Sequence, residues 1–356
     1  MQAKMQQCKE QSGHVARLSD ERMGVATKYG ENLTEGRKIV GHSLTSGGRG
    51  KERRTCVCSL EIGSETLSSE IRNSSGSSSH CSTCGWILSA SSDHKPVPTM
   101  SLAWGYGNNN GPLHWHEKFT IAKDGKRQSP IDIQTKEAQY DPNLQRRPIM
   151  VNYKSEMGME LENNGHSVKA QMKEKSELRG GPLEGTYLLE QFHLHWGAEN
   201  GEGSEHTIDG NKYDAELHLV HYNSKYETFA KAADKPDGLA VFGFMVKVGK
   251  SNDGFEKISK DLGNVLVKGK KCNMADKFDP SCLFSDLTAY WTYAGSLTTP
   301  PLYESVTWIV FKKAVEISQE QMDSLRLLQD SEGKSIVNNY RPPLSVGDRV
   351  VNSSFS

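Results

Sequence analysis

Residues 187–197 read YLLEQFHLHWG and residues 215–223 read AELHLVHYN. Side chains of a strand alternate between its two faces. His193 and His195 therefore share one face, with Phe192, Leu194 and Trp196 on the other. In the second stretch Glu216, His218 and Val220 share a face opposite Leu217 and Leu219. Two neighbouring strands of this pattern aim three imidazoles at one point. Three neutral imidazoles suit a zinc ion and leave its fourth position open, which distinguishes a catalytic site from a structural one. Burying three imidazoles with no shared purpose would leave polar nitrogens to satisfy. Gln191 lies two residues before His193 and Glu216 two before His218, so each sits on its histidine's face. Each is placed to accept the N–H that the histidine turns away from the metal, fixing tautomer and aim.

The same alternation continues outward. GLAVFGFMVKVG (238–249) and SVTWIVFKKAV (305–315) read as further strands bounded by turn residues. YETFAKAAD, GFEKISKDLGNV and SQEQMDSLRLL are candidate helices. The expected fold is mainly β (α+β), a single β-dominated domain over residues 100–356 with peripheral helices. Residues 1–99 differ in kind. They are rich in Ser and Gly, include SSGSSSHCSTC, and show no sustained period. Such a stretch buries too little apolar surface to offset its ordering entropy, so a disordered tail is expected there. Met100 is a possible start of the compact protein, which would make the tail a gene-model extension.

Composition narrows the function. Lys and Arg number 43 against 44 Asp and Glu, a formal net charge of −1. That lacks the basic excess of a nucleic-acid binder. No apolar run reaches the ~20 residues of a membrane helix, and the first residues lack the apolar core of a secretory signal. Five of the seven cysteines (Cys8, Cys56, Cys58, Cys81, Cys84) precede residue 100, leaving Cys272 and Cys282. That is no disulfide framework, so a cytoplasmic location is expected. Cys56-x-Cys58 and Cys81-x₂-Cys84 are not spaced as a standard zinc finger, and one zinc per chain is expected.

The chain resembles the cytosolic α-carbonic anhydrases of animals over residues 101–356. The matching words are AWGYG, GPLHWH, RQSPIDI, NNGHS, QFHLHWG, GSEHT, AELHLVH, DGLAVFG, YWTYAGSLTTPP, VTWIVF and NNYRPP, in family order and spacing. The resemblance implies a large twisted, mostly antiparallel sheet with a central zinc cleft, and reversible hydration of CO₂ to bicarbonate and a proton by zinc-bound hydroxide. A monomer acting on a small-molecule substrate is expected, with neither nucleic acid nor membrane as partner. It implies His193, His195 and His218 as zinc ligands, with Gln191, Glu216 and the carbonyl of Asn339 behind them. Thr298 would orient the hydroxide and pass its own proton to Glu205, with Thr299 beside it. Val220, Val241, Leu297, Val306 and Trp308 would form the apolar CO₂ pocket. His166 would be the proton shuttle, and Tyr106, Asn164 and Thr299 would hold its water chain. Ser129–Pro130 and Pro300–Pro301 match the family's cis bonds.

Two positions depart from the family pattern. Lys169 follows the shuttle by three residues where fast members carry an uncharged polar group, and Glu190 replaces a common apolar residue. Opposite charge at neighbouring positions predicts that they pair; an unpaired Lys169 would depress the pKa of His166. Two other functions compete with this one. An inactive, carbonic-anhydrase-like interaction protein would have lost a zinc histidine, and all three are present. An iron site of His193, His195 and Glu199 would leave His218 and SLTTPP unexplained.

Overall fold

The computed structural model describes residues 104–155, 157–274 and 277–356, together with the backbone of four strands before residue 72. The chain divides into two compact units, Met1–His94 and Lys95–Ser356. In the first, Lys28–Thr34, Arg37–Ser46, Arg53–Ile62 and Glu65–Ile71 pair antiparallel in sequence order. The remainder of the tail, including Cys8, Cys81 and Cys84, lies outside the described residues, as do the side chains of Cys56 and Cys58.

The second unit is built on a mixed sheet of 12 strands. Its main path runs Lys271–Asn273, Met159–Asn163, Val168–Met172, Tyr187–Trp196, Ala215–Asn223, Leu239–Val248, Val306–Ile317, Tyr290–Gly295, Asn352–Ser353 and Gln139–Tyr140. Neighbours are antiparallel except Leu239–Val248 with Val306–Ile317 and Asn352–Ser353 with Gln139–Tyr140. The four stretches read as strands from their alternation are the central four. Helices are short and peripheral: Phe229–Ala232, Asp253–Ser259 and Gln319–Arg326 fall inside the three expected segments or one residue beyond. The last begins in a capping box, in which the Ser318 hydroxyl accepts from the Gln321 N–H and the Gln321 side chain accepts from the Ser318 N–H.

Apolar side chains pack on both faces of the sheet. Phe192, Leu194, Trp196, Leu217, Leu219, Phe242 and Phe311 belong to one buried cluster. Val220, Val241, Val306 and Trp308 belong to another, against which Leu297 packs. The histidines emerge on the second face.

The Tyr187–Trp196 strand breaks strict alternation once. Its register against Ala215–Asn223 shifts between Leu189 and Gln191, so Glu190 is the extra residue of a β-bulge. Without it Tyr187 and Leu189 would share the face of His193; with it they join Phe192 in the first core. The bulge also overturns the expected Lys169–Glu190 pair. Lys169 stands opposite His193, and its Nζ lies 3.1 Å from Glu162 Oε2 on the strand beyond. Glu190 instead accepts from Gln171 Nε2 through both its carboxylate, at 3.0 Å, and its carbonyl, at 2.9 Å.

Candidate metal centre

His193 and His218 are directly opposed across the two central strands. Two residues along the first, His195 completes a triangle with ring centroids 5.0, 5.2 and 4.8 Å apart. Donor atoms of the three rings lie within 4.8 Å of one another. Gly243 faces His218 across the next strand, and a Cβ there would stand 3.2 Å from Glu216 Oε1 and 3.5 Å from the Trp308 ring.

Each ring is held by its outward nitrogen. His193 Nδ1 meets Gln191 Oε1 at 2.9 Å, His195 Nδ1 the Asn339 carbonyl at 2.7 Å, and His218 Nε2 Glu216 Oε1 at 2.8 Å. Since the last two partners only accept, those nitrogens carry the hydrogens. Nε2 of His193, Nε2 of His195 and Nδ1 of His218 are left as inward lone pairs. His195 Nε2 is buried without a hydrogen-bond partner, the mark of an atom meant for a metal. The donor set thus fits zinc. Burial, then the neighbouring imidazoles, hold the pKa of His193 well below its ordinary value, with Lys169 adding to them and Glu216 opposing. Burial and His218 lower that of His195 against Glu205 and the Asn339 carbonyl. Both rings are therefore neutral and able to ligate.

Glu216 is the hub behind the site. Its Oε2 accepts the main-chain N–H of Glu205 (2.8 Å) and of His206 (2.7 Å), and its Oε1 accepts His206 Nδ1 (2.7 Å) besides His218. Burial alone would raise its pKa, but His206 and His218 hold it well below the usual carboxylate range. His206, Glu216 and His218 also cluster as donor atoms, yet their facing atoms are already joined by hydrogen bonds. Glu199 is exposed and belongs to no such cluster among the described residues, which removes the iron-type reading.

Glu205 is wholly buried. Its Oε1 accepts the Arg341 N–H at 2.8 Å. Its Oε2 has no hydrogen-bond partner and stands 3.3 Å from His195 Nε2. Thr298 is buried, but among the described residues no hydrogen bond joins it to Glu205, whose free oxygen is turned toward the imidazoles.

His166 sits in the turn Asn163–Ser167. Gly165 there has φ +86°, a conformation that side chains disfavour. Asn164 Oδ1 closes the turn by accepting the N–H groups of His166 and Ser167, both at 2.8 Å. The imidazole stacks on Trp104 at 4.0 Å and 16°, with Tyr106 edge-on at 6.4 Å. Burial lowers its pKa first, then the Lys268 charge, opposed by Asp330. Burial, then Glu205, raise that of Tyr106 well above its ordinary value, so its hydroxyl stays protonated. Both X-Pro bonds expected to be cis are cis.

Sequence reasoning missed several of these groups. Trp104 stands in AWGYG, where an aromatic at every second position was the available signal. His206, Arg341 and Lys268 gave no signal of their own, since their roles depend on contacts across 10 to 213 residues of sequence.

Half-buried His193 and buried His195 and His218, set on the apolar face of a large sheet, form a cluster that could hold a metal ion, as in enzymes of the carbonic anhydrase type. A family model of eukaryotic-type carbonic anhydrases matches residues 110–355. Human carbonic anhydrase 3 is 46% identical over 263 residues, covering 72% of this chain and 100% of the relative. Its rat counterpart is 45% identical over the same length. Human carbonic anhydrase 7 is 46% identical over 260 residues, 71% of this chain and 97% of the relative. The chain belongs to the eukaryotic-type carbonic anhydrase family and is an enzyme of that kind, in a family that is zinc-dependent in general.

Proposed function

We propose that the enzyme reversibly hydrates CO₂ at one zinc ion held by His193 Nε2, His195 Nε2 and His218 Nδ1. The observation that carries this is the orphaned His195 Nε2, buried beside two other imidazoles whose outward nitrogens are all committed. Zinc in such a site acidifies a coordinated water and so supplies hydroxide at neutral pH.

The chain's own residues do the rest. Val220, Val241, Leu297, Val306 and Trp308 offer CO₂, which is apolar and uncharged, a wall of matching polarity; their shared apolar cluster supports this. Thr298 would orient the attacking oxygen and direct its own proton to Glu205, whose unbonded Oε2 would turn from the imidazoles, 3.3 Å from His195 Nε2 here, to accept it. Thr299 lies beside it. His166 takes the released proton outward. Burial and the Lys268 charge keep its imidazole neutral, with a lone pair to take a proton, though they also make it a weaker base; Tyr106 and Asn164 would hold water for the transfer. A reducing, cytoplasmic setting fits Cys272 and Cys282, which are free, and the enzyme acts as a monomer. Among the described residues no helix is long and apolar enough to cross a membrane.

Stopped-flow CO₂ hydration at increasing buffer concentration tests this. His218→Ala should abolish zinc retention and hydration together. His166→Ala should lower kcat at low buffer and recover with added imidazole. Full hydration by zinc-free His218→Ala would refute the reading.

A further inference from the structure

Asn339 makes three hydrogen bonds that converge on two parts of the site. Its carbonyl accepts from His195 Nδ1 at 2.7 Å. Its side-chain Oδ1 accepts the N–H of Trp196, the residue after that ligand, at 2.7 Å. Its Nδ2 donates to the carbonyl of His166 at 2.8 Å. The residue is wholly buried. Its amide orientation is dictated by chemistry: a main-chain N–H can only donate and a main-chain carbonyl can only accept. One rigid side chain therefore spans from the ligand strand to the His166 turn.

We propose that the Asn339 side chain is a positioning residue for proton export, setting the place of His166 directly from the frame of the ligand His195. This rests on His166 acting as the shuttle. The turn's other tie to the ligand strand is Ser167 Oγ, which donates to the Leu194 carbonyl at 2.6 Å. That bond fixes the far side of the turn and leaves the His166 carbonyl to Asn339. Proton transfer depends steeply on the separation and alignment of donor and acceptor. Asn163 at the start of the turn is held separately by the Leu266, Gln329 and Lys270 carbonyls, so loss of one of the two ties to the ligand strand loosens the His166 end while the ligand rings stay held.

Asn339→Ala separates the two roles, because every residue keeps the main-chain carbonyl that holds His195. In the zinc-loaded protein kcat should fall about ten-fold, kcat/KM for CO₂ should change much less, and added imidazole should restore kcat. In the zinc-free protein the His166 ring resonances, displaced by stacking on Trp104, should move toward those of a free histidine. Asn339→Asp is a second variant of equal size. It keeps an acceptor for Trp196 but sets an oxygen against the His166 carbonyl, and should shift the same resonances. His166→Ala is measured alongside. If it leaves kcat unchanged, the shuttle reading itself fails. If it lowers kcat but neither Asn339 variant alters kcat or the His166 resonances, the inference fails. Loss of zinc with unmoved resonances in both variants would likewise overturn it.

Discussion

Replacing Glu216 by glutamine removes one oxygen from a carboxylate that accepts four hydrogen bonds and has no exposed surface. Glutamine has a single acceptor oxygen, and its NH₂ must face either two main-chain N–H groups or the donors His206 Nδ1 and His218 Nε2. The main-chain groups cannot adapt. The imidazoles could shift their hydrogens, but His218 would then lose the Nδ1 lone pair intended for the metal. His206 is held from its other side by Tyr293, whose hydroxyl lies 2.6 Å from Nε2. Two buried donors left unpaired cost about 1–3 kcal/mol each, so Glu216→Gln should destabilise the metal-free protein by about 2–6 kcal/mol. Loss of the acceptor behind a ligand should also weaken zinc binding about 10–100-fold. Urea unfolding with chelator present measures the first effect, and competition against a chromophoric chelator the second. A variant within about 1 kcal/mol of the parent, with unchanged zinc affinity, would refute the view of Glu216 as the hub.

Two further expectations concern charge. His221 is buried, accepts from the Tyr153 hydroxyl at 2.6 Å on Nε2, and has its pKa pushed down from 6.5 to about 3, first by burial. Its folded pKa lies below its unfolded value, so the unfolded state binds the extra proton; stability is full above pH 6.5 and is lost as pH falls toward 3. The slope from this one group is about 1.4 kcal/mol per pH unit. Metal-free His221→Gln should show a flatter loss of urea stability between pH 6.5 and 4 than the parent, and equal slopes would count against it. For His166, Lys268→Met should raise the pKa read by NMR titration, while Lys169→Asn should leave it nearly unmoved because Glu162 already neutralises Lys169. The reverse ranking would return Lys169 to the role the sequence suggested.

The fold was legible because alternation is a local property. QFHLHWG and AELHLVH each declare two faces within seven residues, and two central strands facing one another then bring three histidines together. Gln191 and Glu216 were legible for the same reason, being two residues from their partners on the same face. Alternation failed at Glu190, where a bulge re-phases the strand. A bulge is set by the partner strand's register, which no single stretch encodes. The Lys169–Glu190 pairing failed with it, since Glu162 is nearer across the sheet. The side-chain bonds of Asn339 and the four-bond role of Glu216 depend on contacts among distant segments, and nothing in NNYRPP or AELHLVH announces them.

The central claim is that three imidazoles holding one zinc make this chain a CO₂ hydratase. Stripping the full-length protein with a chelator and restoring zinc stepwise, with hydration followed by stopped flow, tests it most directly. Activity should vanish on stripping and return linearly to a break at one zinc per chain. Hydration that survives complete removal of zinc, or that fails to return when one zinc per chain is bound, would contradict the account.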